Sequence, residues 1–422
     1  MIQYTNKFDN KINLCIWLGN FIEYYDFSLY TFLAPVMSRY FLGTDNLLND
    51  AIYGYAVLTC TYLMRPIGGI VFGLIGDLKS RDYALTLTIL LMGIATIIIA
   101  ISPGYQSLGY LAAILLVCCR TIQCFSLGGE FTNALVLSYE INYEQKRGEK
   151  IGMFISTGTL GWLVGSIIVS QTMQYEKVFF RPDYVWRIPF FLGGIMSVIL
   201  FYIRRSQYTK QLIQHTAFNY LKPKQLLLNK AFLLKVSSVI IFAGWNGTLF
   251  YGLFIYPPVY ITLKTGLTLN EFFNYTNICM FFYFIFLIIF GIAIDKLKNK
   301  LLVIYLIPFI IPLIFIIYSL INLLSTSTVF CAAIFSAIIT ALVMNITSFL
   351  IPGIFQVEHR ARLVAFFYNI GIATFGANAP LICTVLYKNI SDSMPFIYIG
   401  LISVISTVVL TYIGVIYLQV KQ

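Results

Sequence analysis

Residues 12–38 read INLCIWLGNFIEYYDFSLYTFLAPVMS. A transmembrane helix needs roughly 20 mostly apolar residues, and this stretch has that length. Its middle nevertheless holds two carboxylates, Glu23 and Asp26. An ionised side chain at the centre of a bilayer costs from about 3 to more than 10 kcal/mol. The two carboxylates therefore indicate that protein, rather than lipid alone, surrounds this helix.

Three more ionisable residues interrupt apolar stretches in the first half of the chain: Arg65, Arg120 and Glu130. Ionisable groups inside a membrane usually pair with one another or face a cavity, and they mark the pathways of ions and solutes. Three acids and two bases in otherwise apolar surroundings therefore predict a transporter.

The composition agrees with a membrane protein. The chain has 422 residues, of which 59% are hydrophobic and 11% charged, and its mean hydropathy is +0.83; soluble domains are about a quarter charged. We predict an all-α membrane protein with twelve transmembrane helices. They cover residues 12–38, 51–76, 83–102, 108–138, 151–172, 188–203, 233–262, 273–294, 301–321, 327–351, 363–387 and 395–418.

The lysines and arginines between these segments are distributed unevenly. If the N-terminus is cytoplasmic, 20 of the 28 fall on the cytoplasmic side and six on the other. Cytoplasmic loops carry an excess of Lys and Arg, so both termini are predicted to be cytoplasmic. The net charge of +11 then reflects topology and contact with anionic lipid. Nucleic-acid binding is not predicted, because the basic residues are spread over many short loops.

Cysteine and histidine point away from metal and redox chemistry. The eight cysteines lie in or beside apolar segments, without a CxxC or metal-ligand spacing, so we predict no metal and no cofactor. His215 and His359 fall in predicted loops, which leaves carboxylates as the only proton carriers inside the membrane. The first segment is too long for a signal peptide, so no cleavable leader is expected.

A polar stretch divides the chain near its middle. We predict an N-terminal six-helix bundle at 1–203, a cytoplasmic central loop at 204–232 and a C-terminal six-helix bundle at 233–422. A repeat supports this division, because GLIGDLKSR at 73–81 and GIAIDKLKNK at 291–300 share a GxxxD followed by bases. Duplicated halves with a site between them are common in transporters.

These motifs carry a family resemblance. GLIGDLKSR resembles the major facilitator superfamily signature GxxxD(R/K)xGR, with departures at Leu78 and Ser80. More specifically, the chain resembles the metabolite:proton symporters, proline/betaine transporters among them, although that family often has Trp at Tyr24 and usually Gly at Cys124. The matching segments are GNFIEYYDF (19–27), RPIGG (65–69), RTIQCFSLGGE (120–130), KRG (146–148), WRIPF (186–190), YNIG (368–371) and FGANAP (375–380).

The resemblance implies the major facilitator fold and a bacterial inner (plasma) membrane location. It also suggests that Asp26 pairs with Arg120. Glu23 and Asp26 share a helix face, and a rise of 1.5 Å per residue places both carboxylates and Arg120 roughly 15–20 Å deep. Burial raises the pKa of a carboxyl group and a nearby arginine lowers it, so an ion pair that breaks and re-forms moves a proton. We assign Asp26 as the carrier and Arg120 as its counter-charge; the alternative is a static pair that locks two helices.

The remaining acids complete the predicted proton-coupling set. Glu23 is assigned to it on its shared face with Asp26. Glu130 lies ten residues beyond Arg120, about 15 Å nearer the cytoplasm. It either accepts the proton on its way out or neutralises Arg65, and both interpretations stay open.

Polar and aromatic residues in the segments are candidates for solute binding. Neutral polar groups facing a cavity suit a small polar solute, but they also serve as interhelical hydrogen bonds. The candidates are Tyr25, Arg65, Gln123, Trp245, Asn246, Tyr368 and Asn369.

In the superfamily, the residues at the positions of the repeated GxxxD motif hold the cytoplasmic ends of the two halves together. The resemblance therefore predicts a cytoplasmic gate, with the N-terminus of the eleventh segment and the bases of the 139–150 loop as its partners. A helix N-terminus favours a carboxylate by about 0.3–1 kcal/mol. The alternative is a set of solvated loop charges. The predicted gate consists of Gly73, Asp77, Arg81, Asp295, Glu358 and Arg360.

The sequence favours a proton symporter of a small polar metabolite or osmolyte, similar to proline or betaine. A zwitterion needs an aromatic cage for its cation and one base for its carboxylate. A di- or tricarboxylate such as oxoglutarate or citrate, or another organic acid such as shikimate, is the alternative. Three acids against two bases disfavour a dianion. An uncoupled facilitator remains a further alternative.

Other classes fit less well. An enzyme would need a reactive constellation at one depth, and the segments contain no histidine, GxSxG or phosphate loop. A receptor would usually bring a soluble domain, and a channel needs no buried counter-charges. The predicted protein is a monomer whose partners are a small-molecule substrate, H⁺ and the lipid bilayer.

Overall fold

A computed structural model describes residues 6–43, 47–142, 146–174, 185–208, 230–257, 260–261, 269–296, 310–323 and 325–419. This part of the chain is helical and contains no β-strand, which confirms the all-α prediction. In chain order the α-helices are α1 (Asn6–Leu42), α2 (Leu47–Tyr62), α3 (Met64–Leu78), α4 (Arg81–Ile101), α5 (Tyr105–Leu108), α6 (Tyr110–Ile141), α7 (Arg147–Gln174), α8 (Arg187–Tyr208), α9 (Lys230–Phe250), α10 (Leu269–Lys296), α11 (Ile310–Asn322), α12 (Thr326–Leu350), α13 (Arg360–Gly371), α14 (Ala379–Asn389) and α15 (Met394–Gln419).

Ten helices among the described residues are long and apolar enough to cross a membrane. Two more elements complete the predicted set of twelve. The first is α1, in which Glu23 and Asp26 lower the mean hydropathy. The second is α11, a shorter apolar helix at Ile310–Asn322; the rest of the predicted ninth segment, 301–309, lies outside the described residues.

The second predicted segment, 51–76, is not one continuous helix. The backbone turns at Leu63, whose N–H donates to the carbonyl of Cys60 at 3.3 Å, and α3 begins at the next residue. Pro66 has no N–H, and its ring collides with the carbonyl one turn earlier. Residues Thr59–Leu78 are still long and apolar enough to cross a membrane, and Pro66 gives the physical reason for the turn within them.

Two other predicted helices contain a π-helical turn. Residues Tyr251–Ile255 continue α9, and Ile372–Gly376 link α13 to α14. In the second turn, the side-chain amide of Asn378 donates to the carbonyls of Ala373 (3.1 Å) and Thr374 (3.2 Å). These bonds satisfy acceptors where the helix changes its hydrogen-bonding pattern, as helix irregularities require.

Helix α8 extends about one helical turn beyond the predicted sixth segment, 188–203. Helix α8 continues to Tyr208, so Arg204 belongs to a helix rather than to a loop. Its side chain is 2% exposed. Most of the predicted loop, residues 209–229, lies outside the described part of the chain.

The chain forms two compact units. Unit 1 contains Met1–Leu137, Thr157–Ala217 and Ala361–Phe366; unit 2 contains Ser138–Ser156, Phe218–Arg360 and Phe367–Gln422. These units differ from the predicted halves in two places, because residues 138–156 group with the second half of the chain and 361–366 with the first. The boundaries given for the two bundles stay a prediction.

The core of unit 1 is built on one face of α1. Buried side chains of this face pack against α4, α6, α7 and α8. Helix α1 alone contributes Tyr25, Leu29, Tyr30, Leu33, Ala34, Met37 and Phe41.

Helices α1 and α7 approach closely through the GxxxG of α7. A methyl group on Gly161 would collide with the carbonyl oxygen of Phe21, and one on Gly165 would collide with the hydroxyl of Ser28. Small residues let helix backbones come this near in a membrane. This contact fixes the rotation of α1, and with it the direction of Glu23 and Asp26.

Candidate functional site

Asp26 lies inside unit 1 and is 1% exposed. Its Oδ1 accepts a hydrogen bond from Thr96 Oγ1 on α4 at 2.6 Å, and its Oδ2 accepts one from Gln123 Nε2 on α6 at 2.8 Å. An ionised carboxylate only accepts hydrogen bonds, so this pair of donors suits it. Helix α1 thus holds Asp26 against α4 and α6.

Arg120 joins this cluster through an intermediate residue. Its Nη1 donates to Gln123 Oε1 at 2.9 Å, and Gln123 in turn donates to Asp26. Within the described residues Asp26 and Arg120 form no direct ion pair. The predicted pairing is corrected accordingly: carboxylate and guanidinium share a cluster, and Gln123 connects them.

The guanidinium of Arg120 is surrounded by aromatic rings. It lies 4.1 Å from the ring centroid of Tyr30 and 5.6 Å from that of Phe27, distances at which cation–π attraction operates. Arg120 is fully buried. Among the described residues, its Nε and Nη2 find no hydrogen-bond acceptor, so two donors of a buried cation remain open.

A second cluster lies nearer the C-terminal end of α6. Glu130 Oε1 forms an ion pair with Arg204 Nη2 at 2.7 Å, and both side chains are 2% exposed. Thr88 donates to Glu130 Oε2. Arg204 also donates to the backbone carbonyls of Leu85 and Cys15, so the pair ties together α1, α4, α6 and α8.

The structure pairs Glu130 with Arg204, a residue that was assigned to the central loop. Pairing with Arg65 was one of two interpretations of Glu130 from the sequence, and the other, acceptance of the proton, stays a prediction. Gly19 faces this pair, and a methyl group there would collide with the guanidinium of Arg204 and lie 2.7 Å from Glu130 Oε1.

Glu23 lies between the two clusters, one helical turn from Asp26. It is fully buried, and within the described residues neither carboxylate oxygen has a hydrogen-bond partner. Arg65, Arg204 and Glu130 act on it electrostatically. Arg65 itself is 6% exposed, and its guanidinium lies 5.1 Å from the ring centroid of Tyr62.

Arg204 changes the charge balance of the interior. Glu23, Asp26 and Glu130 now face three bases, Arg65, Arg120 and Arg204. The sequence predicted three acids against only two bases, and the structure adds Arg204 as the third base. The balance therefore no longer argues against a dianionic solute.

Three of the predicted solute-binding residues use their polar atoms within their own unit. Tyr25 donates its hydroxyl to the carbonyl of Pro189 at 3.0 Å, and Trp245 donates Nε1 to Ser403 Oγ at 2.9 Å. Asn246 Nδ2 donates to Thr347 Oγ1 at 2.8 Å. These are interhelical hydrogen bonds, which the sequence analysis gave as the alternative to solute binding.

The other candidates have different environments. Gln123 is hydrogen-bonded to Arg120, Asp26 and Thr96, so it belongs to the Asp26 cluster rather than to a free polar surface. Tyr368 and Asn369 are buried on α13 at 3% and 0% exposure. Their solute-binding role, like that of Arg65, stays a prediction.

Asp77 contacts the start of α13 within unit 1. Its Oδ2 accepts a hydrogen bond from the N–H of Arg362 at 3.3 Å and lies 3.6 Å from Arg362 Nε. The predicted partner, the N-terminus of the eleventh segment, is confirmed. A methyl group on Gly73 would lie 2.6 Å from Arg362 Cα, which explains the glycine, and Arg81 acts electrostatically on Asp77.

Asp295 has the equivalent contact within unit 2. Its carboxylate accepts hydrogen bonds from the N–H groups of Gly148 (2.8 Å) and Glu149 (2.7 Å) at the start of α7. The two Asp residues of the repeat thus each hold a helix N-terminus, where free N–H groups and the dipole favour an anion.

An ion pair accompanies the Asp295 contact. Arg360 Nη1 lies 2.9 Å from Glu140 Oε1, and Glu140 was not among the predicted gate residues. The side chain of Glu358 lies outside the described part of the structure. The pairing of Arg360 shows that this charge is not simply solvated.

The chain belongs to the Major Facilitator Superfamily, whose family model matches residues 16–353. It is therefore a multi-pass membrane transporter. The chain is 28% identical over 408 residues to a "Putative proline/betaine transporter" of Staphylococcus aureus (strain MSSA476), covering 94% of this chain and 86% of that protein. It is also 28% identical over 422 residues to the "Ectoine/proline transporter ProP" of Corynebacterium glutamicum, covering 94% and 82%.

A solved structure shares the fold. The proton:xylose symporter XylE bound to 6-bromo-6-deoxy-D-glucose matches with a TM-score of 0.73 at 13% identity, and the match covers 96% of each chain. At that identity the likeness concerns the fold alone. It confirms the twelve-helix major facilitator architecture predicted from the sequence.

Proposed function

We propose that this transporter is a proton-coupled symporter that imports a small zwitterionic solute similar to proline or betaine by alternating access. The observation that carries the proposal is the Asp26 cluster, a carboxylate that is 1% exposed yet held only by neutral donors. The relatives named as proline/betaine and ectoine/proline transporters support the solute class.

Asp26 is the proposed proton carrier. Its nearest cation, Arg120, acts through the amide of Gln123, so the carboxylate is stabilised less strongly than in a direct ion pair. A charge-neutral protonated form is therefore accessible when the surrounding helices move. Glu130 differs, because Arg204 forms a direct ion pair with it at 2.7 Å.

Arg120 is the proposed anchor of the solute carboxylate. Its Nε and Nη2 are donors without an acceptor among the described residues, and arginine binds carboxylates through two parallel hydrogen bonds. The rings of Phe27, Tyr62 and Trp162 form an edge-to-face cluster nearby, with centroids 5.6 and 5.7 Å apart. Aromatic faces attract a quaternary ammonium group, so one end of a zwitterion would meet Arg120 and the other these rings.

The helix N-termini held by Asp77 and Asp295 are the proposed cytoplasmic gate. Their contacts break when the cytoplasmic side opens and re-form when it closes, which gives alternating access two discrete states. The excess of Lys and Arg on one face supports cytoplasmic termini and a bacterial inner membrane. We propose that the protein works as a monomer.

Purified protein in liposomes tests the proposal. With the outside made acidic, we expect accumulation of radiolabelled proline or betaine above equilibrium and a rise in external pH. A protonophore should abolish the accumulation, and protein-free liposomes provide the blank.

Other outcomes of this assay assign other functions. Equilibration without accumulation would indicate an uncoupled facilitator. Accumulation of oxoglutarate, citrate or shikimate, but not of proline or betaine, would replace the zwitterion with an organic acid. Screening all five solutes in one preparation separates these cases.

A further inference from the structure

We propose that Thr96 positions the proton on Asp26, as a hydroxyl whose hydrogen can turn between the carboxylate and a backbone carbonyl. This inference rests on the proposed role of Asp26 as the proton carrier. Thr96 Oγ1 lies 2.6 Å from Asp26 Oδ1, 2.9 Å from Gln123 Nε2 and 2.9 Å from the carbonyl oxygen of Met92. One hydroxyl therefore has three polar neighbours and a single hydrogen.

Arg120 fixes the direction of hydrogen bonding in the cluster. A guanidinium only donates, so the side-chain oxygen of Gln123 must face Arg120 and its NH₂ group must face Asp26. The two hydrogens of that NH₂ group point to Asp26 Oδ2 and Thr96 Oγ1. Thr96 consequently always accepts one bond from Gln123.

When Asp26 is ionised, it needs donors on both oxygens. Gln123 supplies one to Oδ2, and Thr96 turns its hydrogen to Oδ1. The Met92 carbonyl keeps its backbone hydrogen bond within helix α4. The carboxylate of Asp26, the hydroxyl of Thr96 and the NH₂ group of Gln123 are then all satisfied, with a negative charge on Asp26.

When Asp26 is protonated on Oδ1, the bond to Thr96 reverses. The acid O–H donates to Thr96 Oγ1, whose second lone pair is occupied by Gln123, and the threonine hydrogen turns to the Met92 carbonyl. No heavy atom moves, and each donor of Asp26, Thr96 and the Gln123 NH₂ group has an acceptor. Because an unsatisfied buried polar group is expensive, an arrangement that satisfies both protonation states lowers the barrier between them.

No titratable side chain is hydrogen-bonded to Asp26 among the described residues, and the nearby carboxyl group that can also hold a proton is Glu23. Helix α6 contributes Arg120, which only donates. Helix α1 contributes Tyr25, whose hydroxyl is bonded to Pro189, and Glu23 one turn away. From α8 the nearest group is Gly193, which has no titratable side chain. Thr96 is thus the one hydroxyl hydrogen-bonded to Asp26 among the described residues.

Infrared difference spectroscopy tests the assignment directly. Acid-minus-neutral spectra of the purified protein should show a carboxylic C=O band that is absent from Asp26→Asn. In Thr96→Val the protonated acid loses its acceptor, so this band should move to higher frequency; in Thr96→Ser it should stay in place. Thr86→Val is the matched control, because the Thr86 hydroxyl on the same helix donates to the backbone carbonyl of Asp82.

Transport provides the second readout. Thr96→Val should lower proton-driven accumulation about tenfold, the effect of one lost hydrogen bond to a buried group, while solute counterflow stays within about twofold of the wild type. An unshifted band in Thr96→Val, or a Thr96→Ser variant as defective as Thr96→Val, would overturn the proposal. If the wild type shows no proton-driven accumulation, the proposed function fails, yet the spectra still decide the role of Thr96.

Discussion

At the scale of single residues, the buried charges were predictable and their partners were not. Glu23, Asp26, Arg120 and Glu130 stand out because each interrupts an apolar segment. Arg204 does not, since it precedes Arg205 at the end of such a segment and resembles the start of a basic loop. Thr96 and Thr88 give no signal at all, because a threonine in a membrane helix usually bonds to its own backbone.

Asp26→Asn should separate coupling from solute exchange. The amide cannot release a proton, so we expect proton-driven accumulation to be abolished. Counterflow should be partly retained, because exchange needs no net proton movement. Proline accumulation and counterflow in liposomes measure the two activities, and normal accumulation in Asp26→Asn would remove this residue from the mechanism.

Arg120→Ala should impair both accumulation and counterflow. The variant loses the proposed anchor for the solute carboxylate and the residue that orients Gln123. Equilibrium binding of radiolabelled proline measures the first loss without any gradient. Unchanged binding would show that the solute carboxylate is held elsewhere.

Arg204→Gln should destabilise unit 1. Removing one partner of a buried ion pair leaves an uncompensated charge and typically costs about 3–5 kcal/mol. Thermal unfolding in detergent measures the loss, and Arg205→Gln, at the exposed neighbouring position, is the control.

A second variant shows whether the loss comes from the charge on Glu130. In the double variant Glu130→Gln with Arg204→Gln, both charges are absent, so stability should recover in part. A double variant less stable than Arg204→Gln by the full effect of Glu130→Gln alone would show that the two residues act independently.

At the scale of helices, close packing decides where the functional groups point. The GxxxG of α7 is visible in the sequence, but its partner helix is not, and the structure shows that this partner is α1. The break before Met64 and the π-helical turns were not predicted, because neither changes the hydrophobic pattern. Pro66 and Pro380 were visible, but the segments around them are long and apolar enough to suggest uninterrupted helices.

Gly161→Ala should lower thermal stability although alanine favours a helix over glycine by about 1 kcal/mol. The added methyl group meets the backbone of Phe21, and overpacking of this kind costs about 1–3 kcal/mol. The control is Gly400→Ala on α15, where the new methyl group would lie at an ordinary 3.6 Å from Phe315. That control should be neutral or stabilising; equal effects of the two substitutions would contradict the close contact.

Asp77→Asn and Asp295→Asn should each slow uptake. Both remove the charge that holds a helix N-terminus, an interaction worth about 0.3–1 kcal/mol, or up to ~2 kcal/mol when partly buried. Because the two contacts lie in different units, their effects on the initial rate should multiply in the double variant. Wild-type rates in both single variants would exclude these residues from the gate.

At the scale of the whole molecule, composition and charge were enough to predict a membrane protein of twelve helices, and the motif resemblance implied the major facilitator fold. Twelve apolar segments, an excess of positive loops and a repeated GxxxD indicate a duplicated transporter before any coordinates are considered. The side-chain hydrogen-bond network could not be predicted from the sequence, because it depends on the rotation of each helix. Contacts such as that of Gly161 with Phe21 set these rotations. The solute is harder still to predict from the sequence. Tyr25, Trp245 and Asn246 are residue types that suit a binding surface, yet they form hydrogen bonds inside the helix packing.

Every Asp, Glu, Lys and Arg that is buried among the described residues belongs to unit 1, while the buried polar side chains of unit 2 carry no such charge. The buried charges available for proton coupling are thus confined to unit 1 among the described residues. The proposed proton carrier Asp26 and the proposed solute anchor Arg120 both lie in this unit. We therefore expect a chimaera that takes its second half from the ectoine/proline relative to keep the same number of protons per transported solute, measured from the external pH change and the solute uptake in liposomes.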